Sequence, residues 1–404
     1  MKGSRTCRVT LLVWSLGFFP SIALSAPVFE TDLIFPPEDY HNHSSSIVET
    51  ADGDLIAAWF HGKGEKTDDT LAIWGARKRK GADSWSEPFL MADNKNLPDQ
   101  NPVLFIDPQK RLWLFWISSL ANTIETYLLE YRYSTDYSGD GPPKWEWNDV
   151  LHCRPKNIES VPDRVAATVD DRYGESFDSE EKYRSRLKHA QEVAGDKLFQ
   201  RLGWMPRCQP VMLSDKRMAI GLYSDTFLTS VAAFTEDGGM TWEFGEAVVG
   251  YGLIQPSLIQ KNDGAIVAYG RDKAPSKRIR VAQSQDGGMS WSPVRDMEIP
   301  NPDSSVSVRR LENGGWILVC NDLDGKSRHG RSRLTAYLSD DEGETWKWNR
   351  RIEDNPDDVN AAYPTVIQTV DGAIHCVYTY TPKPKETIKH VWFNEDWIRE
   401  GDQR

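Results

Sequence analysis

The sequence predicts an all-β fold, a six-bladed β-propeller, with a helical insertion between blades two and three. Two repeats and one interruption lead there. A strand-turn-strand pattern recurs six times, a polar turn closed by tryptophan recurs three times, and the strand pattern is lost only between about residues 153 and 204.

The first repeat sets the number of blades. It runs from Ser45-Ser46-Ile47-Val48 to Ala51-Asp52-Gly53, from Pro102-Val103-Leu104-Phe105 to Pro108-Gln109-Lys110, and from Pro210-Val211-Met212-Leu213 to Ser214-Asp215-Lys216. It returns from Pro256 to Asp263-Gly264, from Val306 to Asn313-Gly314, and from Pro364 to Asp371-Gly372. Each copy enters an apolar run such as Leu55-Ile56-Ala57-Ala58-Trp59. Asp-Gly and Asn-Gly between two apolar runs signal hairpins, and a two-residue turn of that kind expects positive φ at both central residues.

The second repeat supplies the outer strands. Thr235 to Trp242, Ser284 to Trp291 and Ser339 to Trp346 all fit Ser/Thr-x-Asp-x-Gly-x-Ser/Thr-Trp, with eroded versions at Gly81 to Trp85 and Ser134 to Trp145. The aspartate ties down amides of its own turn, glycine admits positive φ, and tryptophan packs beneath. One four-stranded sheet per recurrence accommodates both patterns, and six sheets closed around an axis leave no long exposed edge. In the interruption, Asp178 with Glu181 reads as a helix start, and Tyr183, Leu187, Ala190, Ala194, Leu198 and Leu202 recur on one helical face. This segment is expected to cross the propeller surface, packing on it or walling a cleft.

Residues 1–26 read as a secretory signal. Lys2, Arg5 and Arg8 precede an apolar stretch from Leu11, and Ala23-Leu24-Ser25-Ala26 offers a cleavage site. The expected product, residues 27–404, is secreted or periplasmic, with no membrane partner once the signal is removed. Cys153, Cys208, Cys320 and Cys376 lie far apart without metal-ligand spacing, leaving a disulfide or buried free thiols as alternatives. The net charge of -12 argues against nucleic acid, so an acidic ligand needs a local basic pocket. Sixteen tryptophans and fourteen tyrosines provide surfaces that stack on sugars as well as core.

The tryptophan-closed turns are Asp-boxes, and the mature chain resembles the BNR/Asp-box sialidase-like proteins over almost all its length. Asp-boxes are structural in that superfamily, so chemistry rests on residues at the strand ends. The resemblance implies that Arg271 and Arg331 are two of three arginines gripping a sugar carboxylate, a task suited to the planar guanidinium. His43 stands where the first arginine is expected. Tyr363, in Ala362-Tyr363-Pro364, matches the nucleophile, and a neutral phenol approaches an anomeric centre bearing a carboxylate without repulsion. Its partner base is usually glutamate, but Gln255 occupies that place and takes no proton. Asp68 or Asp69, preferably Asp69, matches the general acid. Arg77 and Arg207 are further candidates for the cleft.

His41 and His43 share a strand face, yet no carboxylate-histidine set completes a metal site, and neither metal nor cofactor is expected. His43 suits a general acid or base, or a sugar hydrogen-bonder. The leading expectation is an exo-acting, sialidase-like glycoside hydrolase acting on a terminal acidic sugar. Related propellers imply a second: a rhamnosidase or lyase on uronate-containing polysaccharide, using His43. A carbohydrate-binding propeller without catalysis is the third, favoured by Gln255. The oligomeric state is left open.

Overall fold

The computed structural model describes residues 26–65, 68–172, 181–324, 330–356 and 359–401. The expected signal apart from Ala26, and Asp178, lie outside the described residues. The first strand, β1 (Phe29–Leu33), opens no sheet of its own. It joins the outer edge of the last one.

The first blade is β2 (His41–Glu49), β3 (Leu55–Gly62), β4 (Ala72–Lys78) and β5 (Phe89–Ala92), and the second is β6 (Asp99–Ile106), β7 (Leu112–Ser119), β8 (Tyr127–Ser134) and β9 (Trp147–Val150). In the third, β10 (Trp204–Pro206) and β11 (Val211–Met212) both pair with β12 (Met218–Ser224), followed by β13 (Thr229–Thr235) and β14 (Glu243–Phe244). The fourth is β15 (Leu253–Gln260), β16 (Ile266–Asp272), β17 (Arg278–Ser284) and β18 (Arg295–Pro300). The fifth is β19 (Ser307–Arg310), β20 (Trp316–Cys320), β21 (Arg333–Ser339) and β22 (Trp348–Asp354). The sixth is β23 (Val359–Gln368), β24 (Ile374–Pro382), β25 (Thr387–Phe393) and the returning β1. Every sheet is antiparallel, and the fold is a six-bladed β-propeller. Pairing of β1 with β25 closes the ring, fastened by the Asp32 carboxylate, which accepts from Trp85 Nε1 (3.1 Å), His390 Nδ1 (2.8 Å) and Lys78 Nζ.

The six hairpin turns share one geometry, which differs from the two-residue turn expected. In the first, Gly53 N donates to Thr50 O (2.9 Å) and Thr50 N to Asp54 O (2.8 Å); the same pair of bonds recurs at Lys110, Lys216, Gly264, Gly314 and Gly372. Only that one residue of each turn has positive φ, between 61° and 92°. The turn is a tight bend followed by a single left-handed residue, so the aspartate or asparagine before glycine stays right-handed.

The Asp-boxes lock neighbouring blades. In one, Asp286 Oδ1 accepts from Ser290 N (2.9 Å) and Ser284 Oγ (2.8 Å), while Ser284 Oγ accepts from Gly288 N (2.8 Å). Asp237 and Asp341 repeat this pattern. Gly288 lies against Phe234 of the preceding blade, as Gly239 lies against Trp113.

The insertion forms α1 (Val161–Arg172), α2 (Glu181–Val193) and α3 (Lys197–Arg201) between blades two and three. Val161, Val165, Val169, Tyr183 and Ala190 bury against Leu129, Phe227 and Tyr251. The expected stripe fails at Leu198, which is 50% exposed. There the helix has ended, and Asp196 caps a new one by accepting from Leu198 N (2.8 Å). The four cysteines are buried free thiols.

Gly288→Ala should destabilise the protein by about 2–4 kcal/mol, because φ is +90° and a Cβ would lie 2.3 Å from Phe234 Cζ. Gly264→Ala, at φ +92° with open space around it, should cost about 1 kcal/mol. Thermal unfolding of both variants checks the contrast; equal losses would refute the blade-locking role.

Candidate active site

The cleft residues are presented by a repeated irregularity. In blades one, two, four and six the pairing of the inner strand slips, between His43 and Ser46, Gln100 and Val103, Ile254 and Ser257, and Ala362 and Thr365. Each slip inserts one extra residue, a β-bulge. Its left-handed residue is Ser44, Asn101, Gln255 or Tyr363, with φ of 58°, 53°, 53° and 61°. For a residue as large as tyrosine this conformation is strained by roughly 1–3 kcal/mol. Arg207 holds it in place.

Arg207 is fully buried and gives Nη2 to the carbonyls of Tyr363 and Pro364 and Nη1 to Thr365 Oγ1 (3.3 Å). Its guanidinium lies 5.1 Å from the centre of the Tyr363 ring. The expected substrate ligand is therefore a support beneath the nucleophile candidate, because carbonyls freed by the bulge consume its donors.

Above Tyr363 opens a cavity of about 700 Å³ that His43, Arg271, Arg331 and Tyr363 all line. Arg271 Nη1 donates to Tyr363 Oη at 2.6 Å, and the Arg331 guanidinium lies 5.2 Å from the ring centre. Asp303, itself left-handed at φ 60°, fixes both arginines. Its carboxylate accepts Arg271 Nε (2.6 Å) and its carbonyl accepts Arg331 Nη2 (2.7 Å). Burial would raise the Tyr363 phenol, but the positive charges of Arg271 and Arg331 and the bond from Gln255 outweigh it, leaving the phenol below its ordinary value. Asp303 is pulled down to about 2, because Arg271 and Lys273 outweigh its burial.

Gln255 is buried beside this group, with Nε2 3.2 Å from Tyr223 Oη and 3.5 Å from Tyr363 Oη. Asn101 Nδ2 also donates to Tyr223 Oη (3.3 Å), so three bulge residues converge on the axis. Asn101, Gln255 and Tyr363 each precede a proline, and that shared repeat position was the signal by which Asn101 could have been found.

The opposite wall carries two histidines in opposite states. The His43 ring lies 4.2 Å from the Tyr363 ring and its Nδ1 is 2.8 Å from Thr379 Oγ1. Burial, with the nearby His41, Arg331 and Arg207 charges, holds His43 well below an ordinary imidazole despite Glu65. His41, stacked on it at 5.6 Å, is held between Glu386 (2.9 Å) and Glu65 (3.5 Å). Burial pulls His41 down, but these two carboxylates win and raise it to about 9. At neutral pH the cavity holds one imidazolium and one neutral imidazole.

Two expected residues lie elsewhere. Asp69 is in the β3–β4 loop but bonds to Asn122 Nδ2 (2.8 Å) and is not part of the cavity wall, whereas Glu65 of the same loop is. Arg77 pairs with Ile56 at the hairpin end of the blade, where it donates to the Tyr137 carbonyl and lies 3.6 Å from Asp54. Third strands run away from the cleft, so an arginine at the end of β4 points to the far side.

The folded-state value of His41 exceeds the unfolded one, so its stabilisation is complete below about pH 6.5 and lost as pH rises through about 9. Wild type should lose about 2 kcal/mol relative to His41→Asn across that window. Thermal unfolding at closely spaced pH values checks it, and parallel curves would refute the ion pairing.

The pattern of the BNR repeat-like domain matches residues 53–376. A sialidase of Micromonospora viridifaciens is 29% identical over 175 residues, covering 42% of this chain and 26% of that protein. Among solved structures, the NanB sialidase of Streptococcus pneumoniae superposes with a TM-score of 0.66 at 11% identity, covering 91% of this chain and 71% of that one. The intramolecular trans-sialidase of Ruminococcus gnavus superposes at 0.65 with 14% identity, covering 90% and 96%. At these identities the superpositions show a shared fold. Because the domain pattern extends over most of the chain, the protein belongs to the BNR repeat-like domain family.

Proposed function

We propose that this protein is an exported, exo-acting glycoside hydrolase that removes a terminal acidic sugar, in the manner of its sialidase relatives. The observation that carries the reading is the Arg271–Tyr363 contact at 2.6 Å in a cavity that Arg331 also lines. A sugar carboxylate would bind across the two guanidiniums, which Asp303 holds in a fixed relation. Tyr363 Oη would then attack the anomeric carbon, the bond to the leaving oxygen would break, and that oxygen would take a proton from an acid in the wall. Water would release the sugar in a second displacement, giving retention.

Gln255 cannot serve as base, but the reaction needs only a deprotonated phenol. Arg271 and Arg331 favour loss of that proton by charge, and with no carboxylate beside the phenol the proton passes to solvent water in the cavity. For the leaving group, the His41 imidazolium lines the cavity and carries a proton, and it is better situated than Asp69. Arg271, Arg331, His41, Lys63 and Lys383 outnumber Asp39, Glu65 and Glu386 in the lining, which provides the basic pocket that an acidic chain needs for an acidic ligand.

One observation favours a second reading. The neutral His43 ring against Tyr363, with glutamine at the base position, suits abstraction of the proton beside a uronate carboxylate neutralised by Arg271, with the glycosidic bond one carbon further on breaking and its oxygen taking a proton from the His41 imidazolium. A lyase or rhamnosidase on uronate-containing polysaccharide follows from it.

On a fluorogenic sialoside, Tyr363→Phe should lower kcat by about 10²–10³-fold, and Arg331→Ala should raise KM by about tenfold or more. Turnover unaffected by Tyr363→Phe would refute the nucleophile assignment. Silence on sialosides with an unsaturated product from uronate glycans, lost in His43→Ala, would transfer the assignment to the second reading. Silence on all glycans with retained binding would leave a carbohydrate-binding propeller.

A further inference from the structure

A second cavity, of about 540 Å³, lies on the shoulder between the first and last blades. Its walls are Phe35 to Glu38 in the link from β1 to β2, His61 on β3, Trp74 on β4, and Glu87 with Pro88 before β5. It adjoins the cleft through one stretch of chain. Asp39 and Tyr40, the next residues of that link, line the first cavity, and Tyr40, 47% exposed, rests on the His61 ring at 4.8 Å.

The polar groups between the two cavities are fixed before any ligand arrives. Asn42 Oδ1 accepts from Trp59 Nε1 (3.0 Å), and Asn42 Nδ2 donates to Glu38 Oε1 (3.0 Å). His61 Nδ1 lies 3.0 Å from Asn42 Oδ1 and 3.1 Å from Glu38 Oε1, so that nitrogen carries the proton between two acceptors. The His61 ring meets Trp74 edge-on at 5.5 Å. Glu38 and Glu87 are the charged groups of the lining, and no lysine or arginine joins them among the described residues. The sign is opposite to that of the arginine end of the cleft.

We propose that this cavity is a subsite for an uncharged sugar, the unit of the glycan that follows the acidic terminal residue. A pyranose offers an apolar C–H face to the Trp74 indole and hydroxyl donors to Glu38 and Glu87, while a second anionic sugar is repelled. The size fits, since small-ligand pockets span about 300–1,000 Å³. The identity of the occupant rests on the glycoside hydrolase reading, whereas the preference for a neutral sugar rests on this cavity alone.

The test compares kcat/KM on 3′-sialyllactose with that on an aryl sialoside, for wild type, Trp74→Ala and Glu87→Ala. Each variant should lose about tenfold on the trisaccharide, mainly through KM, with the aryl substrate unchanged. Glu87 is exposed, so its variant keeps the fold and decides the test should truncation of half-buried Trp74 destabilise the blade. Equal losses on both substrates would overturn the subsite. Should wild type cleave neither substrate, the hydrolase reading fails, and calorimetric titration with lactose decides the subsite by itself. Millimolar binding weakened by both variants supports it; no lactose binding, or binding of a proline-rich peptide in its place, overturns it.

Discussion

One extra residue in the inner strand of a blade governs how this molecule presents its chemistry. Without the bulge, alternation along β23 would leave Tyr363 in the regular pleat between blades. With it, the residue turns left-handed at φ 61° and its ring faces the axis. The carbonyls so displaced need donors, and Arg207 supplies them from beneath while its charge lies under the ring. Strain at the tyrosine, burial of an arginine and the shape of the cavity floor are one arrangement. The Asp-boxes and the β1–β25 closure maintain the ring that makes it rigid.

Electrostatics inside the cleft run against the charge of the whole chain. Asp303 aligns Arg271 with its side chain and Arg331 with its backbone, so one left-handed loop residue sets the relation of the two guanidiniums. The same two cations depress the Tyr363 phenol, so in the proposed reaction one pair of charges would serve both substrate capture and nucleophile activation. Across the cavity, two carboxylates keep His41 protonated and burial keeps His43 neutral, although both stand on one face of β2. Environments that separate like residues in this way supply both an acid and a base.

Blade count, insertion and cavity wall were legible in the sequence for different reasons. Hairpins and Asp-boxes are local, so their residues report directly on their geometry, although Asp52-Gly53 overstated the number of left-handed residues. Arg271 ends a second strand and Arg331 precedes a third, positions that both fall at the cleft. Arg77 ends a third strand, and the same parity places it at the far end. Arg207 was misread because sequence shows its charge but not the carbonyls that the bulge leaves unpaired. Glu65, Asp303 and Glu386 were missed because their roles depend on loops meeting from separate blades.

The most direct test of this account is to trap the covalent intermediate with a 3-fluorinated sialosyl fluoride, whose electron-withdrawing substituent slows release, and to map the adduct by peptide mass spectrometry. The account predicts one sialosyl group on Tyr363, with labelling lost in Tyr363→Phe. Label on another residue, or sialoside turnover with no adduct formed, would contradict it.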